Sequence, residues 1–175
     1  MWLFCVTGRL SVMPTAITGL GEAGPGRPAP VVSALVEFGS ALHVLRDPGH
    51  HGASGWAAGV FAGMSEHVAG RTRAWWWTAQ AIRAAPFITA APPAGDFGAS
   101  LDRLRAMPAS RLASRLLRPV SRSGDAQAAL HWSRSREPAV AAVVEALVLR
   151  PEEAAADFVG FLERSWQEWL SLIHI

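Results

Sequence analysis

The first residues in this chain whose type invites chemistry are three histidines, His43, His50 and His51, in the stretch HVLRDPGHHG. Imidazole is a common zinc ligand, but a metal centre needs further nitrogen, sulfur or oxygen donors at a matching spacing. The chain offers no Cys-x-x-Cys, no His-x-x-x-His with a carboxylate, and no third ligand at a diagnostic spacing. Adjacent histidines in a glycine-rich loop more commonly serve as turn or cap residues. His43, His50 and His51 therefore stand as metal candidates without a completed ligand set, and neither a metal nor a cofactor is expected.

A second group with chemical potential is aromatic. Trp75, Trp76 and Trp77 are consecutive, and on an α-helix successive side chains diverge by roughly 100°, so the three cannot share one face. At least one should look away from the core of an isolated domain. Together with Trp56 they are the candidate ligand or interface residues, because a half-exposed indole offers both a large contact area and an N–H donor. The alternative is that neighbouring helices cover all three, as they do any helix apolar all round.

Residues 103–136 hold eight arginines, with Asp125 inside the stretch and Asp102 at its edge. A phosphate-binding surface would suit such a charge excess, yet Trp132 is the one aromatic available for base stacking. A solvated amphipathic face is the favoured reading. Nucleophilic catalysis would require a Ser, Cys or Thr beside an oriented base, and no G-x-S-x-G, Walker loop or G-x-G-x-x-G occurs. No catalytic residue is assigned.

The elements that must position these residues read as helices. Val31, Leu35, Phe38, Leu42 and Leu45 recur every three or four residues and predict a helix ending at Asp47-Pro48-Gly49. Ser54 is then expected to cap a helix carrying Trp56, Val60, Phe61, Met64 and Val68, closed by Gly70. A third follows in RTRAWWWTAQAIRAA and stops before Pro86. The Pro/Gly-rich FITAAPPAGDFGAS divides the chain into two helical halves. Beyond it, SLDRLRAM and ASRLASRLLR flank Pro108, and GDAQAALHWSR starts near Asp125. EPAVAAVVEALVL carries Val140, Val143, Val144 and Leu147 at helical spacing. PEEAAADFVGFLERSWQEWL starts on Pro151, with Glu152 and Glu153 at the positive end of its dipole and a buried stripe of Ala155, Phe158, Val159, Leu162, Trp166 and Trp169. The expected fold is all-α, an irregular bundle of about seven helices.

Composition agrees with one domain of that kind. The 175 residues exceed the roughly 100–150 of a common domain, and half are apolar. The chain has no tyrosine, lysine or asparagine, so every base besides histidine is arginine; with a formal charge of +2 this is no mark of a nucleic-acid binder. The single cysteine, Cys5, rules out an internal disulfide and fits a reducing cytosol, so a cytoplasmic location is expected. No apolar run approaches the ~20 residues of a membrane helix. Residues 1–12 lack the positive start of a signal peptide and read as a translation start placed upstream of Met13. GEAGPGRPAP, residues 21–30, reads as a linker.

The run SALVEFGSALHVLRDPGHHGASGWA, residues 33–57, resembles the opening helix and turn of the helical domain found at the N-terminus of uncharacterised ArsR-type transcription regulators. Glu37, Ala41, Leu42, His43, Leu45, Pro48, His50, His51, Gly55 and Trp56 carry the likeness. AWWWTAQAIRAAPFI and LDRLRAMPASRLASRLL also look like that family. The resemblance implies a helical regulatory domain over residues 30–169 that senses a small-molecule effector, forms a homodimer, or both. A β-rich segment and a DNA-reading winged helix-turn-helix would follow it, and neither is present here. Residues 13–29 would then be an extended segment and linker without partner strands.

The closing LSLIHI, residues 170–175, is identical to a translation of the transposon end used to prepare sequencing libraries, and it reads as an adapter-derived tail in which His174 has no function. The rival readings are a self-contained helical interaction domain and an enzyme working through His43, His50 or Glu37.

Overall fold

The computed structural model describes residues 34–79, 97–121 and 125–173. They form eight α-helices and a short 3-10 turn, with no strand among the described residues. The helices are α1 (Ala34–Arg46), α2 (Ser54–Gly63), α3 (Glu66–Trp75), α4 (Phe97–Ala106), α5 (Ala109–Leu117), α6 (Ala126–Ser133), α7 (Pro138–Leu149) and α8 (Pro151–Ile173), with the 3-10 turn at Trp76–Ala79. The fold is all-α as read, a bundle of eight α-helices among the described residues where about seven were expected. The extended segment at 13–29, Cys5, Met13 and His174 lie outside the described residues. Helical backbone in α8 continues through Ile173, past Trp169.

The boundary between the second and third helices lies at a break that periodicity alone hides, at Met64 and Ser65 rather than at Gly70. A single helix from Ser54 to Gly70 was expected, and the apolar stripe does run on unbroken, with Val60, Met64 and Val68 all buried and Trp56 and Phe61 packed at its edge. The backbone nevertheless turns extended at Met64 (ψ 146°) and Ser65 (ψ 150°). Ser65 is the reason: its Oγ accepts from the Val68 N–H at 3.3 Å and caps α3. The same residue also donates its N–H and its hydroxyl to the Glu168 carboxylate at 3.0 and 2.8 Å, tying the start of α3 to the far end of α8. Ser54 is not a cap. It is the first residue of α2, preceded by Ala53, and Gly70 lies inside α3.

Elsewhere local chemistry acts as its residue types dictate. α1 stops at Asp47, where Pro48 offers its carbonyl to the Ala53 N–H at 2.8 Å and Gly52 takes the left-handed φ of +63° that turns the chain. Asp125 Oδ1 accepts from Gln127 N–H at 2.9 Å and caps α6. Pro138 and Pro151 occupy first-turn positions of α7 and α8, where their missing N–H costs nothing. In α5 the face of Leu112, Ala113, Leu116 and Leu117 is buried while Arg111 and Arg118 are exposed. Arg103, Arg105, Arg134 and Arg136 are exposed as well, so the arginine-rich stretch lies at the surface.

α8 is the central strut, packing against α2, α3, α4, α5 and α7. Its Phe158, Phe161 and Leu162 are fully buried with Trp75, Phe38 and Leu42 from the first half of the chain. The Trp75 ring lies 4.8 Å from Phe158 and 6.5 Å from Phe161, and Phe38 meets Phe161 edge-on at 6.0 Å. Each such buried side chain contributes about 1.5–3 kcal/mol from area alone. No helix among the described residues is long and apolar enough to cross a membrane.

The two serines give a direct test of the break between α2 and α3. Ser65→Ala should cost about 1 kcal/mol or more through the lost cap, lowering the melting temperature by roughly 2–4 °C per kcal/mol. Ser54→Ala should leave it within measurement error. Equal losses in calorimetry would contradict the break.

Candidate functional site

The three consecutive tryptophans do not sit on one continuous α-helix. α3 ends at Trp75, and the chain tightens into the 3-10 turn, held by Trp77 Nε1 donating to the Ala74 carbonyl at 2.9 Å and Thr78 Oγ1 donating to the Trp75 carbonyl at 2.7 Å. At three residues per turn this winding buries Trp75 and Trp77 together, rings stacked at 6.4 Å, and leaves Trp76 half-buried against the core. Trp56 is also half-buried, and its Nε1 is shut from water with no acceptor among the described residues.

Of the four candidate tryptophans, Trp75 borders a recess. A groove of about 540 Å³ runs between α3, α7 and α8, within the 300–1,000 Å³ range of small-molecule sites. Its walls are small and apolar: Ala74 from α3, Ala139, Ala142, Val143 and Ala146 from α7, and Ala154 from α8. Gly70 adds no bulk, since a Cβ built there would meet no atom within 4 Å. Glu66, His67 and Glu153 complete the lining, and all three are exposed.

Polar function in the groove converges on Asp157 of α8. Its carboxylate pairs with the Arg71 guanidinium and accepts the Trp75 Nε1–H at 3.2 Å. Arg71 and Trp75 are one turn apart on α3, which places the guanidinium 5.9 Å from the indole centroid. Burial, and after it the nearby Arg164, lowers the Arg71 pKa from the usual guanidinium value, though an arginine stays protonated at physiological pH. Arg71 Nε is a further donor, shut from water and without an acceptor among the described residues. Such an orphaned donor costs about 1–3 kcal/mol, more than the roughly 0–1 kcal/mol of an exposed ion pair. Being shut from water, it is equally out of reach of a molecule in the groove.

Nothing in the sequence marked Arg71 or Asp157. The one available signal was the spacing of Arg71 and Trp75 at i, i+4; Asp157 is brought in by the packing of α8 on α3.

The histidines gather at the other end of the tryptophan turn. His51 meets His43 and His50 edge-on, with ring centroids 5.0 and 4.8 Å apart. His43 Nδ1 lies 2.8 Å from the Ala79 carbonyl; a carbonyl can only accept, so this nitrogen carries the proton. Asp47 Oδ1 accepts from the His50 backbone N–H at 3.2 Å. Among the described residues no three His, Cys, Asp or Glu side chains are placed to hold a metal ion. His51 Nε2 is shut from water without a partner. That desolvation, then the charges of His43 and His50, lowers the His51 pKa against an opposing pull from Asp47. Glu37 is exposed on α1.

Two measurements follow from this geometry. Asp157→Ala removes the acceptor of both Arg71 and Trp75 and should destabilise the fold by about 1–3 kcal/mol, read as a lower melting temperature; an unchanged value would contradict the pairing. Because the folded state disfavours protonated His51, an unfolded chain takes up a proton near the ordinary pKa of 6.5 that the native chain refuses. Stability should therefore fall as pH drops below that value. His51→Gln should flatten the fall, and an identical pH slope in the variant would show that His51 is not its source.

No curated protein and no solved structure matches this chain. Residues 16–171, covering every described helix but the last residues of α8, match a family of unknown function, DUF5937. The all-α chain with its α3, α7 and α8 groove belongs to the DUF5937 family.

Proposed function

We propose that this chain is the sensing and dimerisation domain of an ArsR-type transcription regulator, a helical body that answers a small-molecule effector and acts in the cytoplasm on a DNA-reading winged helix following it in the gene. The observation that carries the reading is the groove beside Trp75. It is of small-molecule size and apolar in its walls, and its polar groups are few and convergent, the composition of a recognition site. The likeness of residues 33–57 to the opening of ArsR-type regulators supports it independently. DNA would be engaged through the winged helix, with the helical domain setting the response. No catalytic step is needed.

The test is genomic and biochemical. Reading the source gene beyond the codon for Trp169 should reveal a winged helix-turn-helix, and the full product should retard its own upstream DNA in a gel-shift assay while the present chain does not. A reading frame that closes without such a module would overturn the proposal and leave a self-contained helical interaction domain.

A further inference from the structure

We infer that the turn joining α1 to α2, residues 47–53, is an acid-sensitive latch: it is shut while His51 is neutral and opens when His51 takes up a proton, freeing the first turn of α2.

The placement of His51 carries this. Its ring lies between two other imidazoles, 5.0 Å from His43 and 4.8 Å from His50 between centroids, and its Nε2 is shut from water with no partner among the described residues. Neutral, His51 can keep that nitrogen as a bare lone pair with its proton on Nδ1. Protonated, it must carry a charged N–H there with nothing to receive it, a loss that swinging the ring out into water removes.

The surrounding charges do not rescue the imidazolium. His43 and His50 repel it as they gain protons themselves, and Asp47 is the acid that attracts it. Asp47 is exposed, and its Oδ1 already accepts the His50 backbone N–H at 3.2 Å. Neither α2 nor the Trp76–Ala79 turn brings an ionisable side chain. Burial above all, and then the two histidines, accordingly hold the His51 pKa below its ordinary value.

The turn can open without the bundle. Its own bonds are short in range: Gly52 N–H to the Gly49 carbonyl at 3.2 Å and Ala53 N–H to the Pro48 carbonyl at 2.8 Å. Asp47, Gly49, His50 and Gly52 are all exposed, and local bonds at the surface are the first to open. The start of α2 follows, because no side chain caps it and Ala57 N–H bonds at 2.9 Å to the carbonyl of Ala53, inside the turn. His43 stays in place, since its Nδ1–H donates to the Ala79 carbonyl in the neutral and the charged ring alike. Acid therefore frees one side of the histidine cluster and leaves the tie to the 3-10 turn intact.

Hydrogen exchange read by mass spectrometry on the intact 175-residue chain, at pH 7.5 and 5.5 and corrected for the intrinsic rate at each, tests the latch. Peptides over residues 48–57 should lose protection at pH 5.5 by up to about tenfold, the most that one proton with the ordinary pKa of 6.5 can give one unit below it. Peptides from α8 and from residues 74–79 should not change. His51→Gln, which cannot take up the proton, should erase the loss, and His50→Gln, which removes one repelling charge, should reduce it. Should His51→Gln fail to fold, the ring titration of His51 followed by NMR in the unaltered chain decides: a midpoint below 6.5 supports the latch and one at or above it overturns it. Protection equal at the two pH values, a loss shared equally by α8, or a full loss retained in His51→Gln would overturn it as well.

Discussion

The burial of Trp75 against Phe158 and Phe161 is the contact on which the rest of the structure depends. It joins a helix from the first half of the chain to one from the last, and Trp75, Phe158 and Phe161 are all essentially without exposure. Phe38 extends the cluster to α1 through Phe161, and Phe97 stacks on Trp166 at 4.2 Å to bring in α4. α8 thus serves as a shared wall for α2, α3, α4, α5 and α7. The groove exists because α3 and α7 both lean on α8 while small side chains between them leave space unfilled.

Much of this architecture was legible in the residue pattern. The stripe of Leu35, Phe38, Leu42 and Leu45, the Asp125 cap, and the proline starts of α7 and α8 each encode their element within a few residues of sequence. The boundary at Ser65 was not legible, because Val60, Met64 and Val68 continue a helical stripe straight across it and only the serine's bonds to Val68 and to distant Glu168 reveal the turn. The tryptophan run was legible only in part, since Trp76 does stay half-exposed while its two neighbours are buried. Three residues on an ideal α-helix must splay, but a change to 3-10 winding after Trp75 lets two of them enter the core. The Arg71 and Asp157 pair was invisible, since nothing local distinguishes either residue and their meeting is a product of tertiary packing.

The polar centre of the groove obeys the same logic as the core around it. Arg71 and Asp157 are each about one-third exposed, so neither is fully desolvated and the pair stays near break-even as a source of stability. What it supplies instead is orientation. Asp157 accepts the Trp75 N–H while the Arg71 guanidinium paired with it packs 5.9 Å from the indole centroid, fixing the tryptophan that anchors the bundle.

That division of labour revises the part the tryptophans play. A half-exposed indole was the expected recognition element; Trp56 and Trp76 are half-buried, whereas Trp75 has no exposed surface and Trp77 almost none, so neither of these two rings can offer a face to a ligand. Trp75 shapes the groove by placing Asp157 and Arg71, and its contribution to recognition is carried by those neighbours. The histidine turn connects to the same anchor from the opposite direction: His43 holds the Ala79 carbonyl at the end of the 3-10 turn that begins after Trp75. The histidine turn and the groove are therefore built on two ends of one tightly wound stretch of chain. A shift in that winding would move Trp75 relative to α8 and His43 relative to Ala79 together, because rigid, close-packed side chains leave no slack to absorb it between them.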